Sequence, residues 1–205
     1  MINKRFNAIF SGILMNLEEE KQLVREAKTD PEAFGRLYDQ YYSKIFGYVL
    51  KRTGNLEISK DIVSEIFIKA LKNINKFKWQ NILGFGPSFG SWLYRIASNE
   101  IANFFRRQKP TISLDSIADP RFDFNLLDEI MKAEEKLKDH QDFLSIQREI
   151  MLLSPKYQEV LVLRFFEKKK IKEISEIIGK NQGTVKSLLH RGLAKLREQT
   201  PLIKD

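Results

Sequence analysis

Residues Ile171 to Glu198, reading IKEISEIIGKNQGTVKSLLHRGLAKLRE, hold the side chains with the most pointed chemistry in the chain. Lys186, Ser187, His190, Arg191 and Lys195 fall on one side of a helical pattern that opens near Thr184. Lysine and arginine neutralise phosphates or bond guanine edges, and a serine hydroxyl bonds either. The opposite side is apolar: Val185, Leu188, Leu189, Leu193 and Leu196 supply a stripe to bury. Upstream, Ile171, Ile174, Ile177 and Ile178 recur at helical spacing, Gly179 stops that helix, and Asn181 is a good N-cap for the next. The pattern predicts a helix-turn-helix whose second helix faces double-stranded DNA. A helical hairpin with a solvated basic face would share the periodicity, but turn chemistry, spacing and charge agree on the DNA-facing reading.

Charge extends the argument to the whole chain. The 205 residues carry a formal net charge of +8, with 42% hydrophobic and 11% aromatic side chains, enough to bury the cores of one or two small domains. The charge is uneven. Residues 1–110 hold 18 basic against 11 acidic side chains, residues 111–147 hold 4 against 9, and residues 148–205 hold 13 against 7. Two basic blocks flanking an acidic connector suit a polyanion touched at two places, with a joint that avoids it or fills a basic channel on another partner.

The elements that must position these groups are helices. Thr29-Asp30-Pro31-Glu32 is a capped start, followed by Phe34, Leu37, Tyr38, Tyr41, Ile45, Tyr48 and Val49 at helical spacing until Gly54. Asn55 caps a second helix with Ile58, Ile62, Ile66, Ala70 and Ile74 as its apolar stripe and Asp61, Ser64, Glu65, Lys69 and Lys72 outside. A loop containing Gly84, Gly86, Pro87 and Gly90 follows, and Ser91 is a fair N-cap for a helix through Trp92, Ile96, Ala97, Ile101 and Phe105 to Arg107. The acidic stretch after Pro110 is broken by Pro120 and leads into a helix from roughly Leu126. Ser154-Pro155 restarts a helix whose Val160, Leu161, Leu163 and Phe165 can pack on the helix-turn-helix. No useful β-alternation is present, so the expected fold is all-α: two small helical domains joined by an acidic linker, the second containing the helix-turn-helix.

Five blocks in this order, AFGRLYDQYYSKIFGYVLKRTGN, DIVSEIFIKALKNINKF, WLYRIASNEIANFFRR, LSPKYQEVLVLRFFE and the helix-turn-helix itself, resemble the extracytoplasmic-function (ECF) sigma factors of the sigma-70 family. The resemblance covers residues 16–200. It implies a domain over 16–110 that binds core RNA polymerase and the promoter minus-ten element. It also implies an acidic linker over 111–147 that threads through the polymerase, and a domain over 148–200 that binds the minus-35 element. DIVSEIF resembles the helix that docks on the polymerase β′ subunit, with Asp61, Ser64 and Glu65 as its polar face and Ile62 and Phe67 adding apolar contact.

The third block is where the resemblance places minus-ten recognition. Opening a duplex needs platforms for unstacked bases and cations for separated strands. Trp92 and Tyr94 are the candidate stacking residues, Asn99 and Asn103 can bond base edges, and Arg95, Arg106, Arg107 and Lys109 can hold phosphates. Some of these aromatics must be core, Trp92 and Phe105 above all. The loop Lys78 to Gly90 is longer and richer in glycine than the family pattern. In the recognition helix, Thr184, Lys186, Ser187, His190, Arg191 and Lys195 match the family's minus-35-facing positions. Leu188 and Gly192 depart from its usual Arg and Ala.

Other chemistry finds little support. There is no cysteine, so neither a disulfide nor a thiolate metal site is expected, and His140 and His190 lack ligand-spaced partners. Gly84-Phe85-Gly86 follows a helix and lacks the Gly-Lys-Ser/Thr ending of a phosphate loop, so no nucleotide cofactor is expected. The carboxylates show no nucleophilic or acid-base arrangement, which excludes catalysis as the first reading. The apolar run Ala8 to Met15 is too short to span a membrane and lacks a signal-peptide cleavage site. A cytoplasmic protein is expected, and a translation start at Met15 fits the helical pattern just after it. The partners implied are core RNA polymerase through β′ and β, promoter DNA and an anti-sigma factor. The alternative is a stand-alone helix-turn-helix regulator whose first lobe senses a signal or dimerises.

Overall fold

The structure is a computed structural model that describes residues 17–79, 88–108 and 140–199. Among these residues all regular structure is helical, as the spacing of apolar side chains predicts. The α-helices are α1 (Leu17–Glu26), α2 (Pro31–Thr53), α3 (Leu56–Asn73), α4 (Phe89–Gln108), α5 (His140–Leu152), α6 (Pro155–Leu161), α7 (Ile171–Ile178) and α8 (Gln182–Gln199). A 3₁₀ turn, Ile74–Lys76, follows α3, and a π-helical turn, Val162–Phe166, follows α6. The chain divides into two compact units, Met1–Gln40 and Tyr41–Asp205.

In the first unit, Pro31 opens α2 with the fixed backbone angle that a first helical turn tolerates, and the Asp30 carboxylate accepts a hydrogen bond from the Glu32 N–H at 2.9 Å. Arg36 and Glu26 pair at 2.9 Å on the surface. Leu23, Val24, Ala27, Ala33, Phe34 and Leu37 are its buried apolar side chains.

In the second unit, Gly54 ends α2 in the left-handed conformation (φ 67°), and the Asn55 side chain accepts from the Ile58 N–H at 3.0 Å to begin α3. Ile45, Tyr48, Ile66, Ile74, Leu93 and Ile101 are fully buried where α2, α3 and α4 meet. The start of α4 differs from the sequence expectation. Ser88, not Ser91, is the cap: its hydroxyl accepts from the Ser91 N–H at 3.1 Å, and Ser91 itself is buried inside the first turn. Gly90 is needed there, because a Cβ would come 3.0 Å from the Tyr41 ring.

The C-terminal helices form around Val160, Leu161, Val162 and Leu163, four consecutive side chains with no exposure. With them lie Ile150, Leu153, Ile174, Ile177, Val185 and Leu196. Phe165 does not join this core. It is half-exposed, because the wider π turn carries it past the face that α6 presents to α8. Gly192 fits where α8 crosses α6: a Cβ would sit 3.2 Å from Leu161 Cδ1, so the departure from the family pattern matches a close helix approach. The expected helix from Leu126 and most of the connector 111–147 lie outside the described residues; α5 covers its end. The helices before and after that segment belong to one compact unit, with α4 lying against α7.

Candidate nucleic-acid interface

The helix-turn-helix forms from the local signals read above. Gly179 ends α7 with φ 65°, and Asn181 accepts from the Thr184 N–H at 2.7 Å, capping α8. Burying Val185, Leu189 and Leu196 fixes the rotation of α8 about its axis. Lys186, Ser187, His190, Arg191 and Lys195 are then exposed together along its outer side, with Thr184 half-buried at the edge. This row of two lysines, one arginine, a hydroxyl and an imidazole is the composition that reads a major groove.

The α4 helix is divided. Trp92 is half-buried in an aromatic cluster, with its ring centroid 5.1 Å from Phe77 and 5.4 Å from Phe89. It also lines an open hollow of about 470 Å³ together with Lys69, Asn73, Lys76, Ile96, Asn99 and Glu100. Asn99 is exposed beside it. Asn103, half-buried, donates to Glu100 at 3.4 Å and accepts from Arg106 at 2.9 Å. Trp92, Asn99, Asn103 and Arg106 therefore share one open side of α4, and Arg95 and Arg107 are exposed. Lys109 lies outside the described residues.

Tyr94 is on another side. It is 2% exposed, its hydroxyl donates to Glu167 Oε2 at 2.5 Å, and Lys169 Nζ stands 4.4 Å from its ring centroid. Burial, and after it the charge of Glu167, holds the phenol well above its ordinary value of 10.0. Tyr94 therefore presents no face for stacking on an unpaired base in this structure.

On α3, Asp61, Ser64 and Glu65 are exposed together, as their spacing predicts. Ile62 and Phe67 are not beside them: both are buried, because they belong to the stripe that packs into the core. The apolar side chains on the outside are Ile68 and Leu71, each about half-exposed. Ile68 stands four residues beyond Ser64 and three beyond Glu65, and Leu71 three beyond Ile68, and that spacing was the available signal for them. Lys69, read as an outward charge, instead pairs with the buried Glu100.

The sigma-70 region 2 family matches residues 37–111, and the sigma-70 region 4 family matches residues 143–196. The ECF RNA polymerase sigma factor SigW of Bacillus subtilis (strain 168) is 31% identical over 189 residues, which is 90% of this chain and 98% of that protein. The ECF sigma factor BldN of Streptomyces coelicolor is 30% identical over 181 residues, 88% of this chain but 65% of that longer protein. Among solved structures, CnrH in complex with the cytosolic domain of CnrY has the same fold, with a TM-score of 0.63 at 17% identity over 90% of this chain and 99% of that one. RpoE of Bartonella quintana, solved with the anti-sigma factor NepR, superposes with a TM-score of 0.62 at 17% identity, covering 84% and 98%.

A chain whose described elements are all helical and that carries these two regions in this order is a promoter-directed transcription protein. It belongs to the ECF sigma factors of the sigma-70 family. Its work is that of a sigma factor, directing RNA polymerase to promoters for transcription initiation, and the stand-alone regulator reading is set aside. No helix among the described residues is long and apolar enough to cross a membrane.

Proposed function

We propose that residues 16–110 bind core polymerase and the minus-ten element, that 111–147 form the connector within the polymerase, and that 148–200 bind the minus-35 element. The observation that carries this division is the exposed row Lys186, Ser187, His190, Arg191 and Lys195, opposite a buried stripe on a helix that is locally capped at its start. The α3 side with Asp61, Ser64 and Glu65 is the docking face for a basic partner surface on β′, with Ile68 and Leu71 as its apolar rim. On α4, the side holding Trp92, Asn99, Asn103 and Arg106, with Arg95, Arg107 and Lys109 nearby, meets separated minus-ten strands. The protein itself catalyses nothing. It acts in the cytoplasm as a dissociable polymerase subunit, and an anti-sigma factor is an expected partner, as NepR is for RpoE.

Copurification with core polymerase, followed by transcription from a library with randomised minus-35 sequences, tests this. A stoichiometric complex that initiates at one preferred sequence supports it. DNA binding through α8 without core association would overturn it.

A further inference from the structure

The open hollow between α3 and α4 has an acid in its wall. Glu100 lines it, although the residue is only 7% exposed. Helical spacing places it there: Ile96, Glu100, Asn103 and Arg106 succeed one another by three or four residues along one side of α4. Lys69, Asn73 and Lys76 line the same hollow from α3 and the turn that follows it, at the same helical spacing.

Glu100 ties the two elements together. Its Oε2 accepts from Lys69 Nζ on α3, and its Oε1 accepts from Asn103 Nδ2 at 3.4 Å. Asn103 Oδ1 accepts in turn from Arg106 Nη2 at 2.9 Å. The row therefore reads cation, acid, amide, cation, and that order leaves the Asn103 side chain one orientation. A carboxylate only accepts and a guanidinium only donates, so the amide must turn its NH2 to Glu100 and its oxygen to Arg106. Beside a neighbour able to do both, either orientation would be satisfied. Little stability comes from the arrangement itself, since Lys69 keeps its side chain 44% exposed and the acid gives up hydration on burial.

The orientation decides what the amide can recognise. After these contacts Asn103 retains one N–H and one oxygen lone pair, side by side in a fixed order. Asparagine reads a base through such a donor and acceptor pair, as with N7 and N6 of adenine, and a reversed amide meets the same edge with donor against donor. We propose that Glu100, anchored by Lys69, is a positioning residue that fixes the Asn103 amide and thereby sets base preference at one position of the minus-ten strand. The proposal rests on the assignment of this side of α4 to separated minus-ten strands. Glu100 acts through Asn103 and need not touch a base.

The test is selection of initiating sequences from promoters randomised at the minus-ten element, with the full chain assembled on core polymerase. Asn103→Ala should remove the preference at one position. Glu100→Gln keeps the size of the side chain but adds a donor, so the amide can turn over. Preference at that same position should then fall by about fivefold or more, the lower end of what one bidentate pair discriminates, while the other positions keep theirs. Lys69→Met, which removes the anchor, should relax the same position by less. In the Asn103→Ala background, Glu100→Gln should change nothing further. A merely structural Glu100 would instead lower initiation at every sequence alike and add to the effect of Asn103→Ala. Wild-type preference in a folded Glu100→Gln variant overturns the proposal, as does relaxation spread over all positions. Should Glu100→Gln fail to fold, Lys69→Met decides, and unchanged preference at the Asn103 position counts against it. If Asn99→Ala, Asn103→Ala and Arg106→Ala all leave every preference at wild type, the minus-ten assignment of α4 fails first, and the proposal falls with it.

Discussion

Helices α8 and α4 were read from the same kind of signal, basic and polar side chains interleaved with apolar ones, and the structure treats them differently. On α8 every candidate except the edge residue Thr184 is exposed on one side. On α4 the candidates part: Trp92 and Asn99 line an open hollow with Asn103 and Arg106 on the same side of the helix, while Tyr94 is buried under Glu167 and Lys169. The reason is the breadth of the packing face. The α8 helix meets α6 and α7 along one stripe, Val185, Leu189, Gly192 and Leu196, so its remaining surface is free by elimination, whereas α4 packs against α3 and α7 with a broader buried face that runs from Leu93, Ala97 and Ile101 to Tyr94 and Ser98. Periodicity locates an outer side only when the inner side is narrow.

The comparison can be pressed hardest on α3, where one side packs and the other is open. Asp61→Lys with Glu65→Lys inverts the charge of the exposed side and leaves the buried stripe untouched. Affinity for core polymerase should fall by about 2–5 kcal/mol, read by competition against a labelled sigma factor, while the melting temperature stays within about 2 °C. Normal core binding by the folded variant removes the docking assignment.

The division of α4 should separate two substitutions that sequence alone would group. Tyr94→Ala empties a buried site and should cost about 3 kcal/mol of unfolding free energy in denaturant titration. Asn99→Ala, on the exposed side, should leave stability unchanged and reduce promoter opening seen by permanganate footprinting, with partial rescue on a template mismatched at the minus-ten element. The Tyr94 phenol adds a pH dependence. Its value in the packed state is raised above 10.0, so its contribution is fully present below that pH and is lost as pH rises beyond it, where only the unpacked state ionises. The groups facing it are Glu167, Lys169, Tyr48 and Tyr41. Tyr94→Phe should flatten the loss of stability between pH 9 and pH 11, and an unaltered profile would rule out Tyr94 as its source.

On α8 the effects should be smaller and differ in kind. Arg191→Ala should cost about 1–3 kcal/mol of minus-35 binding and relax preference at one position; Lys195→Ala should weaken all sequences evenly and lower the salt slope by about one. Selection at fixed salt distinguishes them, and identical sequence preference in both variants and wild type rejects α8 as the reader. The smallest effect is the cap. Asn181→Ala should destabilise the C-terminal helices by about 1 kcal/mol in thermal unfolding, with Asn181→Ser close to wild type.

What the sequence determined by itself is whatever depends on a few neighbouring residues. Asn55 and Asn181 cap their helices, Gly54 and Gly179 take left-handed angles, and Pro155 opens α6, all through contacts within about four residues of chain. The order of the five blocks pointed to the sigma-70 family for the same reason: each block carries its own pattern. Where two local solutions compete the reading slipped, as at Ser88 and Ser91, because either hydroxyl can cap a helix and only the close fit of Gly90 against Tyr41 places the first turn. Tertiary structure alone decided which charges are spent internally. Glu167 looks from sequence like one more solvated charge beside three lysines, yet it is buried between Lys51 and Tyr94, 116 and 73 residues away. Ile62 and Phe67, expected to add apolar contact to the docking face, lie inward, while Ile68 and Leu71, which the sequence reading did not single out, lie outward. A helix carries its periodicity in its own residues, but which of its sides meets another helix is set by partners far along the chain.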